Sequence, residues 1–342
     1  MIITTNFNNT LDDMERYHGK EDIRGFCRDN HLDGLEYMRF PYYPEDQIPM
    51  DMVQGIHLSS FECWMDLWLG NKKTLLDEFG SMEVVEQVYG GTTPDAVITR
   101  FQKELDEAEK LGVKYVVFHV SEVKIRESFT RKFYYTDHEV ITAASDLINQ
   151  ILKGKNYSFD FLMENLWWAG LTLTDPDITN ELLTNVRYDK KGIMLDTGHL
   201  LHTNLDIKTQ SEGVGYIFQV LDRYHDLCDE IQGIHLQQSL TGDVARLLQK
   251  QMDDGELVLK KDYWERFSQV YPYVFSLDQH KPFTDDKVMN LIEKIDPKYL
   301  TFEFISRNRE EHERYLREQW VALRRHKSGQ RLYDKRQEEV IC

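Results

Sequence analysis

The sequence predicts an α/β chain folded as a single (β/α)8 barrel, on three observations. Short apolar runs of strand length alternate with amphipathic helical stretches about eight times over roughly 325 residues. Several of these runs stop at a histidine or a carboxylate, the pattern of buried parallel strands whose last residues leave the core. No fixed-period repeat, low-complexity segment or linker divides the chain.

Residues 1–6 read as the first strand and 21–30 as the helix after it, with Ile23, Phe26 and Cys27 on its apolar face. Residues 34–40 form the second strand, after which Pro41 and Pro44 force an irregular connection. The third strand, 53–57, ends in His57 and opens an excursion at 58–91 with short helices near 63–69 and 75–79. Thr93-Pro94 starts the clearest helix, whose face is Val97, Phe101, Leu105, Ala108 and Leu111 and whose end is Gly112. Strand four, 114–119, ends in His119; a helix at 140–152 leads to strand five, 159–165, which carries Glu164. A helix at 177–186 leads to Gly192-Ile193-Met194-Leu195-Asp196-Thr197-Gly198-His199, an apolar run that halts at an acid and a histidine three apart. A helix at 214–231 precedes strand seven, Gly233-Ile234-His235-Leu236. An insertion at 237–283 is expected to be helical at 244–252 and near 264–270. A helix at 287–295 returns to strand eight, 299–304, with Glu303, and 310–325 closes the barrel. The barrel is thus expected over 1–326, and 327–342 as a charged, loosely held tail.

With 59 acidic and 41 basic residues the net charge is -18, which disfavours a polyanionic partner such as nucleic acid without excluding it, and favours a small-molecule substrate. Cys27, Cys63, Cys228 and Cys342 make no CxxC pair, so neither a disulfide framework nor a zinc knuckle is expected. No apolar run approaches the 18 or so residues of a membrane span, and the first residues lack the basic flank of a signal peptide. These readings give a cytoplasmic protein with no membrane association. Homo-oligomer formation stays open.

In a parallel barrel the active site is built at the carboxyl ends of the strands. Those ends carry His57, His119, Glu164, Asp196 with His199, His235 and Glu303, and Asp278-Gln279-His280 lies in the loop after strand seven. Each alone is compatible with a hydrogen-bonded structural residue. Together they would crowd acids around one mouth unless cations neutralise them. Mixed carboxylate and imidazole donors suit zinc, manganese or iron(II) better than calcium, and the lack of cysteine donors argues against a purely structural zinc site.

This ordered set resembles the xylose-isomerase-like barrel superfamily, which includes AP endonuclease family 2 and the sugar phosphate isomerases and epimerases. It is most similar to the endonuclease IV branch, over residues 53–305. The most specific part is Leu195-Asp196-Thr197-Gly198-His199 with Gly233-Ile234-His235-Leu236 and Asp278-Gln279-His280. The resemblance implies up to three divalent ions, zinc or manganese. His57 and His119 would hold the first, and Glu164 would bridge it to a second completed by Asp196, His235 and Glu303. His199, Asp278 and His280 would hold the third. Such a set serves hydrolysis of a phosphoester. The quartet Glu164, Asp196, His235 and Glu303 also resembles the one-metal site of the sugar isomerases and epimerases, where Glu164 and Glu303 would act as acid and base.

Three features depart from one branch or the other. The arginine that the epimerases place after the strand-seven histidine is replaced by Leu236-Gln237-Gln238-Ser239. The acidic second strand, Glu36, looks like that of the sugar enzymes. The loop after strand seven is longer than in the endonuclease branch. Glu36, Trp167 and His202 are candidate substrate contacts; Trp167 and Trp168 equally suit core packing, and His202, one helical turn from His199, could instead support a ligand from behind, although a solvent-facing histidine is the favoured reading.

Overall fold

The computed structural model describes residues 1–40 and 43–341; the expectations for Pro41 and Cys342 lie outside the described residues. Ten strands occur in chain order: β1 (Ile2–Asn8), β2 (Gly34–Met38), β3 (Val53–His57), β4 (Tyr115–His119), β5 (Ser121–Glu122), β6 (Asp160–Glu164), β7 (Ala169–Gly170), β8 (Lys191–Asp196), β9 (Ile231–Leu236) and β10 (Tyr299–Phe302). Eight of them close a barrel in the order β1-β10-β9-β8-β6-β4-β3-β2, and β5 and β7 pair antiparallel just beyond its rim. Every barrel pairing is parallel, and β1 closes on β10 with Ile3 opposite Leu300.

Strand alternation sorts the side chains into two cores. Val116, Phe118, Phe161, Met163, Ile193, Leu195, Ile234 and Leu300 point outward into the layer shared with the helices. Tyr115, Val117, Leu162, Met194 and Tyr299 fill the barrel interior. The same even spacing turns His119, Glu164, Asp196, His235 and, just past β10, Glu303 inward at the carboxyl end. Gly55 faces inward below His57, where a Cβ would stand 2.2 Å from the Tyr115 ring. That missing side chain lets Tyr115 cross the barrel and bring its hydroxyl to Glu36 at 2.8 Å.

Most predicted helices are present. The helix Pro94–Leu111 ends at Gly112, whose φ of 71° is left-handed, although Thr93 makes no side-chain capping bond. The helix Asp137–Ile151 opens on a capping box of Thr136 and Glu139. Four differences have physical causes. The excursion contains an additional helix, Met82–Tyr89, capped by Ser81 and Gly90. The stretch expected as helix to 231 stops at Leu221 and finishes as a 3-10 turn at His225–Glu230, where His225 takes a φ of 45°. The insertion helix runs from Tyr263 to Leu277 straight through Pro272, because Val270 and Leu277 pack with Phe129, Leu248 and Met252. The expected loose tail is a helix, Lys327–Ile341: Tyr333 packs on His31 and Trp320, and buried Arg336 binds Asp33 at 2.7 Å. Among the described residues no helix is long and apolar enough to cross a membrane.

Candidate metal centre

The nine residues singled out at the strand ends meet at one mouth. They form three groups whose donor atoms lie within 4.8 Å of one another: His57, His119 and Glu164; Glu164, Asp196, His235 and Glu303; and His199, Asp278 and His280. Glu164 belongs to two groups. Its Oε2 lies 3.2 Å from His57 Nε2 and 3.2 Å from His119 Nε2, while its Oε1 lies 3.0 Å from His235 Nδ1.

Three of the imidazoles are held so that one nitrogen is committed and the other faces the mouth. His57 Nδ1 donates to the Leu58 carbonyl at 3.0 Å, leaving Nε2 inward. His199 Nδ1 donates to the Asn165 carbonyl at 2.9 Å, leaving Nε2 3.3 Å from Asp278 Oδ2. His235 is reversed: Nε2 donates to Glu36 at 3.0 Å and Nδ1 faces Glu164 and Glu303. A ring nitrogen fixed by a carbonyl or carboxylate behind it sets the tautomer and orientation that a metal donor needs.

The carboxylates show the same division. Asp196 Oδ1 caps the short helix Thr197–Leu201 by accepting from His199 N at 2.6 Å, and takes Gln237 Nε2 at 2.9 Å. Its Oδ2 is buried without a hydrogen-bond partner among the described residues. Glu303 Oε2 and His280 Nδ1 stand 3.6 Å apart, both buried and likewise unpartnered in hydrogen-bond geometry. Orphaned buried donors converging on one point are costly unless a cation completes them, so the residues fit divalent ions. Among the described residues every ion pair of Glu164, Asp196, Asp278 and Glu303 is to a histidine, and none is to lysine or arginine.

Without ions the cluster balances its charge by protonation. Burial opposes the charge of Glu164, yet His235 and His119 hold its carboxyl well below the usual range. Asp278 is held down in the same way by His280 and His199. Burial pushes Asp196 up to about 8 against the pull of His199. His199 and His235 are raised well above the ordinary imidazole value by the acids around them, despite burial.

Three expectations change. Glu36 is not at the mouth: it is 2% exposed, and its carboxylate accepts from His235 Nε2, Tyr115 and Thr301 beneath the site. Trp167 is buried, with its ring covered by Trp168, His199 and His202, so no face is left for substrate stacking. His202 does not face solvent or an open pocket; it is 2% exposed.

Sequence reasoning missed a supporting layer. Asn165 clamps the Asp196 backbone in both directions, at 2.8 and 3.0 Å. The residues standing where an arginine was sought have their own work. Gln237 holds Asp196, and Ser239 Oγ accepts from the backbone N–H groups of Gln279 at 2.8 Å and His280 at 3.2 Å. The long loop after β9 is thereby tied back so that Asp278 and His280 reach the mouth. The position of Asn165 next to Glu164 was the one available signal.

A closed parallel barrel with acid and imidazole donors at its carboxyl mouth defines the class: a (β/α)8 barrel with a candidate multinuclear metal centre. The chain belongs to the xylose isomerase-like TIM barrel family, whose model matches residues 71–325. Among solved structures it is similar to that of AsfvAP:AG, at TM-score 0.52 and 12% identity, covering 94% of this chain and 98% of that one. A candidate xylose isomerase from Rhodospirillum rubrum gives TM-score 0.51 at 12% identity over 93% of this chain and 98% of its own. A D-tagatose 3-epimerase-like protein gives TM-score 0.49 at 12% identity, over 99% of this chain and 98% of its own. At such identity the first two of these likenesses show a shared fold. No curated protein sequence matches the chain.

Proposed function

We propose that the mouth holds up to three divalent ions, zinc or manganese, and that the protein is a metal-dependent hydrolase of a phosphoester. The observation that carries this reading is the division of Glu164 between two donor groups, beside a complete third group at His199, Asp278 and His280. A one-metal reaction would leave five of these nine donors without a task. Divalent ions held there would bring the pKa of a water toward neutrality and offset charge on the phosphoryl and departing oxygens. The chain's own part is rigid presentation: the Leu58 and Asn165 carbonyls and Glu36 fix the rings, and Gln237 and Ser239 fix the loop. The net charge of -18 favours a small phosphorylated substrate over a polyanion.

The second reading is a sugar or sugar-phosphate isomerase or epimerase, with one ion at Glu164, Asp196, His235 and Glu303 and the two glutamates as acid and base. The family's description and the name of the Rhodospirillum rubrum protein favour it over hydrolysis. The geometric counterweight is that both oxygens of Glu164 lie among imidazoles at 0% exposure.

Metal content per chain, measured on protein purified without chelators, separates the two. The hydrolase is expected to carry three ions and to cleave an aryl phosphodiester, and His280→Ala to lower that rate by about two orders of magnitude or more. One ion per chain with proton exchange into a ketose, or equal diesterase rates for variant and parent, would hand the site to isomerisation.

A further inference from the structure

His202 ends the short helix Thr197–Leu201 one turn beyond His199. Its place is fixed from three sides. Its backbone N–H donates to the Gly198 carbonyl at 3.1 Å, its carbonyl accepts from the Arg131 guanidinium at 3.0 Å, and its ring lies 4.6 Å from the Trp167 ring. Trp167 also covers His199 at 5.0 Å, so one indole packs both imidazoles. An apolar side chain would satisfy this packing. An imidazole buried to 2% exposure, with Nε2 lacking a hydrogen-bond partner among the described residues, carries a desolvation cost that packing does not explain.

The orphan nitrogen points at Asp278, whose two oxygens face different surroundings. Oδ2 lies between His199 Nε2 at 3.3 Å and His280 Nε2 at 2.7 Å, on the side where an ion would be held. Oδ1 looks away from that point, toward Ser239 Oγ at 3.3 Å and His202 Nε2 at 3.6 Å. A carboxylate that gives one oxygen to a cation and the other to N–H and O–H donors is fixed in rotation about its own axis.

We propose that His202 is a positioning residue for the third ion: its Nε2–H, with the Ser239 hydroxyl, holds Asp278 Oδ1 and so turns Oδ2 toward His199 and His280. This rests on the reading that the His199, Asp278 and His280 group holds an ion. A small shift of the carboxylate brings the 3.6 Å separation within hydrogen-bond reach. Trp167 is the backing that keeps the donor in line.

The test compares His202→Phe, which keeps a ring against Trp167 and removes the donor, with His202→Gln, which keeps an N–H near the position of Nε2. Each protein is loaded with zinc, exposed to graded chelator, and read as ions retained per chain, with the visible spectrum of the cobalt-substituted form as a second readout. The parent is expected to retain three ions. In His202→Phe one of them should be lost at about 10- to 100-fold lower chelator strength while the other two hold, and His202→Gln should restore most of the difference. Three ions retained by His202→Phe with the parent's chelator profile, or a glutamine variant no better than phenylalanine, would overturn the role. Should the phenylalanine chain not fold, His202→Leu takes its place with the same two outcomes. A parent that retains one ion would overturn the proposed trinuclear centre itself, and that result is visible before any variant is made.

Discussion

A Cβ at position 198 would stand 2.0 Å from Gln237 Oε1 and 2.1 Å from its Nε2, the amide that donates to Asp196 Oδ1 at 2.9 Å. Glycine is required there for close approach, since its backbone is ordinary helix. In Gly198→Ala the glutamine is driven off, Asp196 keeps only the His199 N–H on Oδ1, and its free Oδ2 is no longer held toward Glu164 and His235. The affinity of the Glu164, Asp196, His235 and Glu303 group for zinc is expected to fall about 10- to 100-fold, with the fold intact by circular dichroism. Chelator competition measures it, and parent-like affinity would show that Gln237 does not govern Asp196. At this scale the donors were legible in the sequence because histidine and acid at strand ends are conspicuous types. Gln237, Ser239 and Asn165 were not, because amides and hydroxyls acquire a role only from what stands beside them. Glu36 was legible as an acid on the second strand, but neither as a buried one nor as the partner of His235, which lies 199 positions away.

The elements differ in what makes them stable. The helices Pro94–Leu111 and Asp137–Ile151 carry local signals, Pro94 and Gly112 in the first and the Thr136–Glu139 box in the second; the first was read from its signals, and the second was expected only from 140, short of its box. The helix through Pro272 and the tail helix are stabilised by distant residues, among them Phe129 and Trp320, so local signals mislead there. The closing helix, Arg309–Arg324, is bound to β1 through His312, whose Nε2 lies 2.9 Å from Thr5 Oγ1 with Phe26 and Phe304 against the ring. Burial, assisted by Arg16, takes His312 down to about 3. The ring is therefore neutral in the fold, while the unfolded chain protonates it near 6.5. With the folded value the lower one, its stability is fully present above about 6.5 and is lost as pH falls from there toward 3, at about 1.4 kcal/mol per pH unit. Between pH 7.5 and pH 5 the parent should lose about 2 kcal/mol through this group, which His312→Gln would not lose. Urea unfolding of both chains at the two pH values gives the comparison. A parent-to-variant difference that does not change with pH would mean that His312 titrates in the fold as it does in the unfolded chain.

Across the whole molecule, the barrel strands from β3 to β10 and the segments that follow them deliver four acids and five histidines to one volume in a chain that is already acidic, with a net charge of -18. The barrel was legible in the sequence because its strands and their inward parity are local patterns. The shape given to the mouth by the insertion was not, since it depends on where a long loop is tied. Neutralising those acids has two solutions. Without ions, protons serve: His199 and His235 are held well above 6.5 and His280 at about 9, against burial, by the acids around them, and burial holds Asp196 at about 8. With ions bound, the same nitrogens and oxygens must be bare, because a donor atom cannot hold a proton and a cation together. Loading the metal-free protein at pH 7 is therefore expected to release about three or more protons per chain, from His199, His235, His280 and Asp196. Calorimetric titration with zinc in buffers of different ionisation enthalpy counts them. The count should fall as the starting pH rises past about 8 and then about 9, where Asp196 and His280 have already lost their protons. Binding without proton release at pH 7 would place the ions away from these side chains, and the acids would then need another source of positive charge.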